Sequence, residues 1–159
     1  MIATNSNLTT NLNFLTPTSF KLIIDNKKFA NIEYFITNLT LPSIDTDEIQ
    51  ANWNGFSIFM PGGTVNHGTL AVKFMVDESM RNYTEIFNWI IDNNVASDPI
   101  KHDIILSILS SKNNTNRQFR FIDAFPLSLG GFDLSTQVSD VEYAATEVTF
   151  RYTRFEILR

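Results

Sequence analysis

Apolar residues recur at helical spacing in one segment of the chain, and elsewhere they come in short bursts or in alternation. Within residues 77–94, Tyr83, Ile86, Phe87, Ile90 and Ile91 stand at i, i+3, i+4, i+7 and i+8, which draws one apolar stripe down a helix. Ser79 or Asn82 is placed to cap the start, with Glu85 three residues after Asn82 in a capping-box relation. Asp77 and Glu78 add negative charge at the positive end of the helix dipole. Asn93 and Asn94 supply a left-handed exit.

Either side of this helix the pattern predicts strands. Residues 19–25 follow Pro17, and residues 32–41 end at Pro42. The polar turn Asn26-Lys27-Lys28 joins the two and predicts a hairpin. Residues 69–76 form an apolar strand that runs straight into the helix, and Ser97-Asp98-Pro99 breaks the chain after it. Residues 103–109 and 117–124 read as two strands joined by a turn at residues 112–116, with Phe125-Pro126 and Gly130-Gly131 as bends at a strand end. Residues 141–158 read as one long strand. Val148, Phe150 and Tyr152 share one face, but Phe155 and Ile157 have the opposite parity, so a bulge near Arg154 is expected. Six or seven strands and one helix predict a mostly β (α+β) fold, an antiparallel sandwich or barrel with a flanking helix. Residues 1–13, rich in Asn and Thr, read as a flexible arm, and residues 14–159 as a single domain.

Residues 43–66 stand apart. Their head is acidic (Asp45, Asp47, Glu48), Trp53 and Phe56 follow without a clean period, and Met60-Pro61-Gly62-Gly63 reads as a turn. A loop this long inside a small domain usually has a task. An acidic head with aromatics beyond it suggests an arm that reaches a neighbour; the plainer alternative is an irregular hairpin lying on its own domain. Trp53, Phe56 and Phe155 also exceed what a small core needs, and aromatic residues are enriched at subunit interfaces.

Composition sharpens this picture. Of 159 residues 18% are charged and 13% aromatic, with 14 Phe. A surface poor in charge sets few like-charge penalties against copies packing together. The net charge of −5 argues against tight nucleic-acid binding, which needs a basic footprint, and leaves room for a conduit that repels it. With no cysteine, disulfides and thiol chemistry are excluded. The first residues lack the pattern of a signal peptide, and no apolar run reaches the ~20 residues that span a bilayer, so a chain folded in a cytoplasm and free of membrane is expected.

Candidate chemistry is sparse. His67 sits in a turn and His102 precedes a strand, neither at ligand spacing from another donor. The carboxylates Asp45, Asp47 and Glu48, and Asp77 and Glu78, lie in turn or cap contexts. Neither glycine pair forms a phosphate-binding loop, and no nucleophile motif occurs. No enzyme, cofactor or metal site is expected. A small ligand-binding sandwich, with Trp53 and Trp89 stacking on a sugar, stands as a competing class.

Three segments together resemble contractile-tail bacteriophage tail tube proteins. Asn13-Phe14-Leu15-Thr16-Pro17-Thr18-Ser19-Phe20-Lys21-Leu22-Ile23-Ile24, with the later Leu41-Pro42, is similar to the family's opening strands. Thr69-Leu70-Ala71-Val72-Lys73-Phe74-Met75-Val76-Asp77-Glu78, leading to Phe87-Asn88-Trp89, resembles its strand and helix junction. Ala124-Phe125-Pro126 and Glu147-Val148-Thr149-Phe150-Arg151-Tyr152-Thr153-Arg154-Phe155-Glu156 resemble its closing strands. The resemblance implies a structural virion protein: homohexameric rings stacked into an inner tail tube, inside a sheath and on a baseplate, with DNA passing through the lumen without specific binding. A single-ring relative at the baseplate or tail end, an initiator or terminator, is the alternative within the family. The implied inter-subunit or inter-ring loop contains Ile44, Asp45, Asp47, Glu48, Trp53, Phe56 and Met60. Asp133, Asp140, Glu142 and Glu147 are the lumen-facing candidates, with an ordinary solvated strand face as the alternative for each.

Overall fold

The computed structural model of the chain describes residues 15, 17–24, 33, 35–136 and 143–158. Among these the elements are β1 (Phe20–Ile24), β2 (Ile36–Thr40), β3 (Ile44–Trp53), β4 (Phe56–His67), β5 (Leu70–Met75), α1 (Arg81–Val95), β6 (His102–Leu109), β7 (Thr115–Leu129), β8 (Ala145–Arg151) and β9 (Arg154–Leu158). One sheet runs β1-β6-β7-β8-β5-β2, with β9 alongside β7, and β3 and β4 form a separate two-stranded ribbon. Every pairing is antiparallel. The fold is the mostly β architecture with one flanking helix that the pattern predicts.

The topology departs from the expected opening hairpin. β1 pairs with β6 and β2 with β5, so the first two strands sit at opposite ends of the sheet. The turn at residues 26–28 lies outside the described residues. A local pattern shows that two segments are strands, but which partner each takes depends on non-local burial.

The long final strand is two strands. β8 ends at Arg151, β9 starts at Arg154, and both pair with β7: β9 with Gln118–Ile122, β8 with Phe125–Leu129. The parity slip is real, but its cause is this break and not a bulge. Thr153 donates its N–H to the carbonyl of Ile122 at 3.0 Å, pinning the break to β7. β7 bends at the same level, where Asp123 has φ 55°. The Asp123 N–H donates to Asp103 Oδ1 (3.1 Å), and Arg120 donates to Asp103 Oδ2 from Nε (2.9 Å) and Nη2 (2.5 Å). The bend is thus tied down by a charge-assisted fork. Pro126 lies inside β7, opposite Phe150, with a register shift before Ser128, instead of ending the strand. A bulge tolerates proline because the missing N–H falls where the ladder is already interrupted.

Alternate residues of five strands point to one core: Leu22 and Ile24, Leu70, Val72 and Phe74, Ile104 and Leu106, Phe121, and Val148 and Phe150 are buried. The helix covers this core with Ile86 and Trp89. Trp89 donates its indole N–H to the Ile100 carbonyl (2.9 Å) and packs its ring near Phe150 and His102. The stripe is therefore rotated from the predicted one. Ile86 and Ile90 pack inward, but Trp89 and Asn82 complete the buried face, while Phe87 and Ile91 are about half exposed.

The start of the helix differs too. The N-cap position is Met80, in a left-handed conformation and without a side-chain cap; Ser79 spends its hydroxyl on Asp77. Asn82, fully buried, works from inside the first turn. It donates Nδ2 to the Met75 carbonyl (2.7 Å) and accepts at Oδ1 from the N–H groups of Asp77 (3.1 Å) and Tyr83 (2.8 Å). One side chain thereby clamps the end of β5 to the beginning of α1. At the C-terminus the helix exits into extended backbone at Ala96, not a left-handed Asn.

The two ends of the curled sheet, β1 and β2, face each other without pairing. Between them lies an apolar slot of about 270 Å³, lined by Pro17 and Phe20 before and on β1, Leu39 and Leu41 on and after β2, and Leu106 and Ile108 of β6.

Candidate functional site

The segment with irregular sequence folds as a regular ribbon. Asn54 (φ 54°) and Gly55 (φ 85°) make a two-residue turn between Trp53 and Phe56. Positive φ at both central residues is the turn that matches strand twist, and Asn-Gly is its preferred sequence. The register pairs Ile49 with Met60, Ala51 with Ile58, and Trp53 with Phe56. Directly opposed residues share a face, so these six side chains form one apolar face. Glu48, Gln50 with Phe59, and Asn52 with Ser57 make the other, where Gln50 Nε2 donates to Ser57 Oγ (2.9 Å) and Ser57 Oγ to Asn52 Oδ1 (3.2 Å). The alternation that looked absent runs through the turn with period two.

Met60-Pro61-Gly62-Gly63 is not a turn but part of β4. The register shifts between Thr46 and Glu48, so the glycines bulge opposite Asp47. A Cβ on Gly62 would lie 2.6 Å from the Asp47 carbonyl oxygen, whereas at Gly63 it would meet nothing. Gly62 is required by this close approach; Asn66 Nδ2 braces the same place by donating to Asp47 Oδ1 (3.0 Å).

The ribbon stands clear of the domain. Trp53 is 72% exposed and Phe56 76%, with Ile44, Ile49, Ile58, Phe59, Met60 and Val65 also exposed. Its apolar face presents on the order of 500 Å², toward the upper end of the largest patch on a typical monomer, a size of patch that is often functional. The ribbon is rooted at its base. Gly68 donates its N–H to the Ser43 carbonyl (2.9 Å), and His67 sets its ring against Phe155 (5.3 Å) and Tyr152 (6.1 Å). His67 is therefore the last residue of β4, wedged between ribbon and domain. Phe155, a candidate interface aromatic, instead joins Phe119, Phe121 and Tyr152 at the core's edge.

The acidic candidates do not gather. Asp45 accepts from Ser43 Oγ (3.3 Å) and Asp47 from Asn66, both within the ribbon. Asp133 is exposed in the segment after β7, and Glu147 stands on the outward face of β8 across from Lys73 of β5. Asp140 and Glu142 lie outside the described residues. Asp103 and Tyr152 titrate away from their ordinary values. Burial pushes the Asp103 carboxyl up, but the Arg120 hydrogen bond, the Asp123 N–H and the charges of Arg120 and His102 outweigh it, so the net shift is downward. Burial raises the Tyr152 phenol against the opposing charge of Arg151. Among the described residues the Tyr152 hydroxyl finds no hydrogen-bond partner, no group of three or more His, Asp or Glu is placed to hold a metal ion, and no helix is long and apolar enough to cross a membrane.

Among the described residues the ribbon strands β3 and β4 pair only with each other, and their apolar face is exposed. The sequence profile of phage tail tube proteins matches residues 3–158. The chain belongs to the phage tail tube protein family. As a tail tube family member it is a structural protein of an assembled tail and not an enzyme. No curated protein sequence matches it. Solved structures share its fold. A chain of the sheath–tube complex of an extracellular contractile injection system, in the extended state, is 20% identical with TM-score 0.70, covering 91% of this chain and 90% of that one. A chain of the same system's sheath/tube terminator is 19% identical with TM-score 0.73, covering 94% and 100%. The tube-terminating cap of the anti-feeding prophage is 18% identical with TM-score 0.73, covering 99% of each. What sequence reasoning missed in this tail tube protein was the Asn54-Gly55 signal, which marks the ribbon once the apolar alternation is read through it.

Proposed function

We propose that the chain assembles into homohexameric rings that stack as the inner tube of a contractile tail, and that the β3–β4 ribbon is the arm that joins one copy to the next. The observation that carries this is the ribbon's exposed apolar face on a member of a tube-forming family. The arm comprises Ile44, Asp45, Asp47, Glu48, Trp53, Phe56 and Met60, with the aromatic pair at its tip as anchors. The edges of β1, β2 and the ribbon, which pair with no other strand among the described residues and would be an aggregation liability in a lone copy, become joints in a closed ring. A head-to-tail contact of this kind closes wherever its rotation divides a circle. Solved relatives of this fold come from a sheath–tube complex and a six-fold symmetrised baseplate, which supports a sheath outside the tube and a baseplate beneath it as partners. The net charge of −5 suits a lumen along which DNA slides without sticking, with Asp133, Asp140, Glu142 and Glu147 as the groups assigned to it.

Negative-stain microscopy of the purified protein tests the assignment. Long hollow tubes are expected; single rings that never stack would make the chain a terminator or initiator, and single copies at every concentration would refute assembly. Deleting residues 44–65 is expected to leave a folded domain, because the Gly68–Ser43 hydrogen bond already holds the ribbon's two ends together. Tubes formed by that deletion would remove the arm from the assembly.

A further inference from the structure

We propose that the Trp53–Phe56 tip of one copy seats in the slot between β1 and β2 of the next. This inference rests on the reading of the ribbon as an assembly arm, and adds where the arm lands.

The tip is a knob. Trp53 and Phe56 face each other across the Asn54-Gly55 turn and remain 72% and 76% exposed, so neither is seated on its own domain. Ten residues of β3 at ~3.3 Å each carry the tip about 30 Å from the root, far enough to overhang an adjoining copy. The slot is the matching hole. Its walls come from Pro17, Phe20, Leu39, Leu41, Leu106 and Ile108, and its 270 Å³ is on the scale of one large aromatic side chain. It lies between the two end strands of the sheet, β1 and β2, whose outer edges pair with no other strand among the described residues. An incoming strand can therefore hydrogen-bond to an edge while its aromatic side chain fills the gap, the two components of strand addition.

Another exposed apolar surface is the stripe of Phe87, Ile91 and Val95 along α1; none of these three lines the slot, whereas anchor residues bind in desolvated pockets. A foreign partner would need to match knob or slot alone; a second copy matches both. The exposed tip aromatics supply about 300 Å² of apolar area, and strand-edge and rim contacts along the ribbon supply the rest of the ~800 Å² per partner of a stable interface. Because knob and slot are different surfaces, the contact is heterologous and repeats from copy to copy.

The cysteine-free sequence makes the test direct. Copies carrying Asn54→Cys at the tip are mixed with copies carrying Asn38→Cys at the slot, treated with a short bis-maleimide, and examined by gel and by microscopy. A control mixture pairs Asn54→Cys with Asn88→Cys, exposed on the helix. The expected result is rings or tubes, with an Asn54–Asn38 adduct and little Asn54–Asn88 adduct. Assemblies that form without the Asn54–Asn38 adduct overturn the slot as receptor while the assembly arm stands. Absence of any assembly overturns both. As a second readout, Trp53→Ala should raise the concentration needed for assembly by at least about 30-fold with an unchanged circular dichroism spectrum; an unchanged threshold also overturns the proposal.

Discussion

Replacing Asn82 by Ala tests whether one buried amide joins the sheet to the helix. Asn82 has no solvent exposure and makes three hydrogen bonds, one given to the Met75 carbonyl and two accepted from the N–H groups of Asp77 and Tyr83. Alanine removes the amide that pairs those three backbone groups. Leaving a buried polar group unsatisfied costs about 1–3 kcal/mol. Partial relaxation at a helix start brings the total to roughly 3–5 kcal/mol. If Asn82 were only a surface cap, as its place in the sequence suggests, the loss would be typically about 1 kcal/mol. Urea unfolding followed by far-ultraviolet circular dichroism separates the two, provided it is run below the concentration of assembly, since association adds stability by mass action. The midpoint should fall without a change in slope, and Tm should drop by roughly 10 °C for a domain of this size. Asn88→Ala, on the exposed side of the same helix, should shift stability by no more than about 0.5 kcal/mol. A loss below about 1 kcal/mol for Asn82→Ala refutes the clamp.

The rotated helix face predicts that Ile86→Ala costs about 2–5 kcal/mol while Phe87→Ala, half exposed, costs less than about 1; equal losses in urea unfolding would restore the stripe read from spacing. Tyr152→Phe removes a buried hydroxyl without a partner and should leave stability unchanged or raise it by up to about 1 kcal/mol, so a clear loss would show that the hydroxyl is bonded. Gly62→Ala should disrupt the ribbon and weaken assembly, because its Cβ meets the Asp47 carbonyl, whereas Gly63→Ala should assemble like the parent; light scattering reads both. The Asp103 carboxyl titrates below its ordinary value when folded, so it contributes stability above the unfolded-state pKa near 4 and loses it as pH falls through the folded value. Asp103→Asn should flatten that acid limb, and a parallel pH profile would count against the Arg120 fork.

The sequence alone determined what each stretch is locally. Alternation at Leu22 and Ile24, Leu70 to Phe74, and Val148 and Phe150 is a matter of backbone period, and each set is buried as its parity requires. The slip of phase before Phe155 was equally legible, since a strand cannot change face without interrupting its ladder. The ribbon stood out as an acidic, aromatic segment too long for a plain connection. Its fold was legible as well, in Asn54-Gly55 with Ile49, Ala51, Trp53, Phe56, Ile58 and Met60 at alternate positions on either side.

Tertiary structure decided the rest, because it depends on which surfaces meet. β1 and β2 look like a hairpin until β6 and β5 bury them better at opposite ends of the sheet. The helix offers apolar residues around more than half its girth, and contact with Phe150 and His102 selects Trp89 and Ile86 over Phe87 and Ile91. Asn82 resembles a cap and becomes a clamp only because the Met75 carbonyl lies within its reach. The slot between β1 and β2 has no sequence signature at all, being the gap left where a curled sheet does not close.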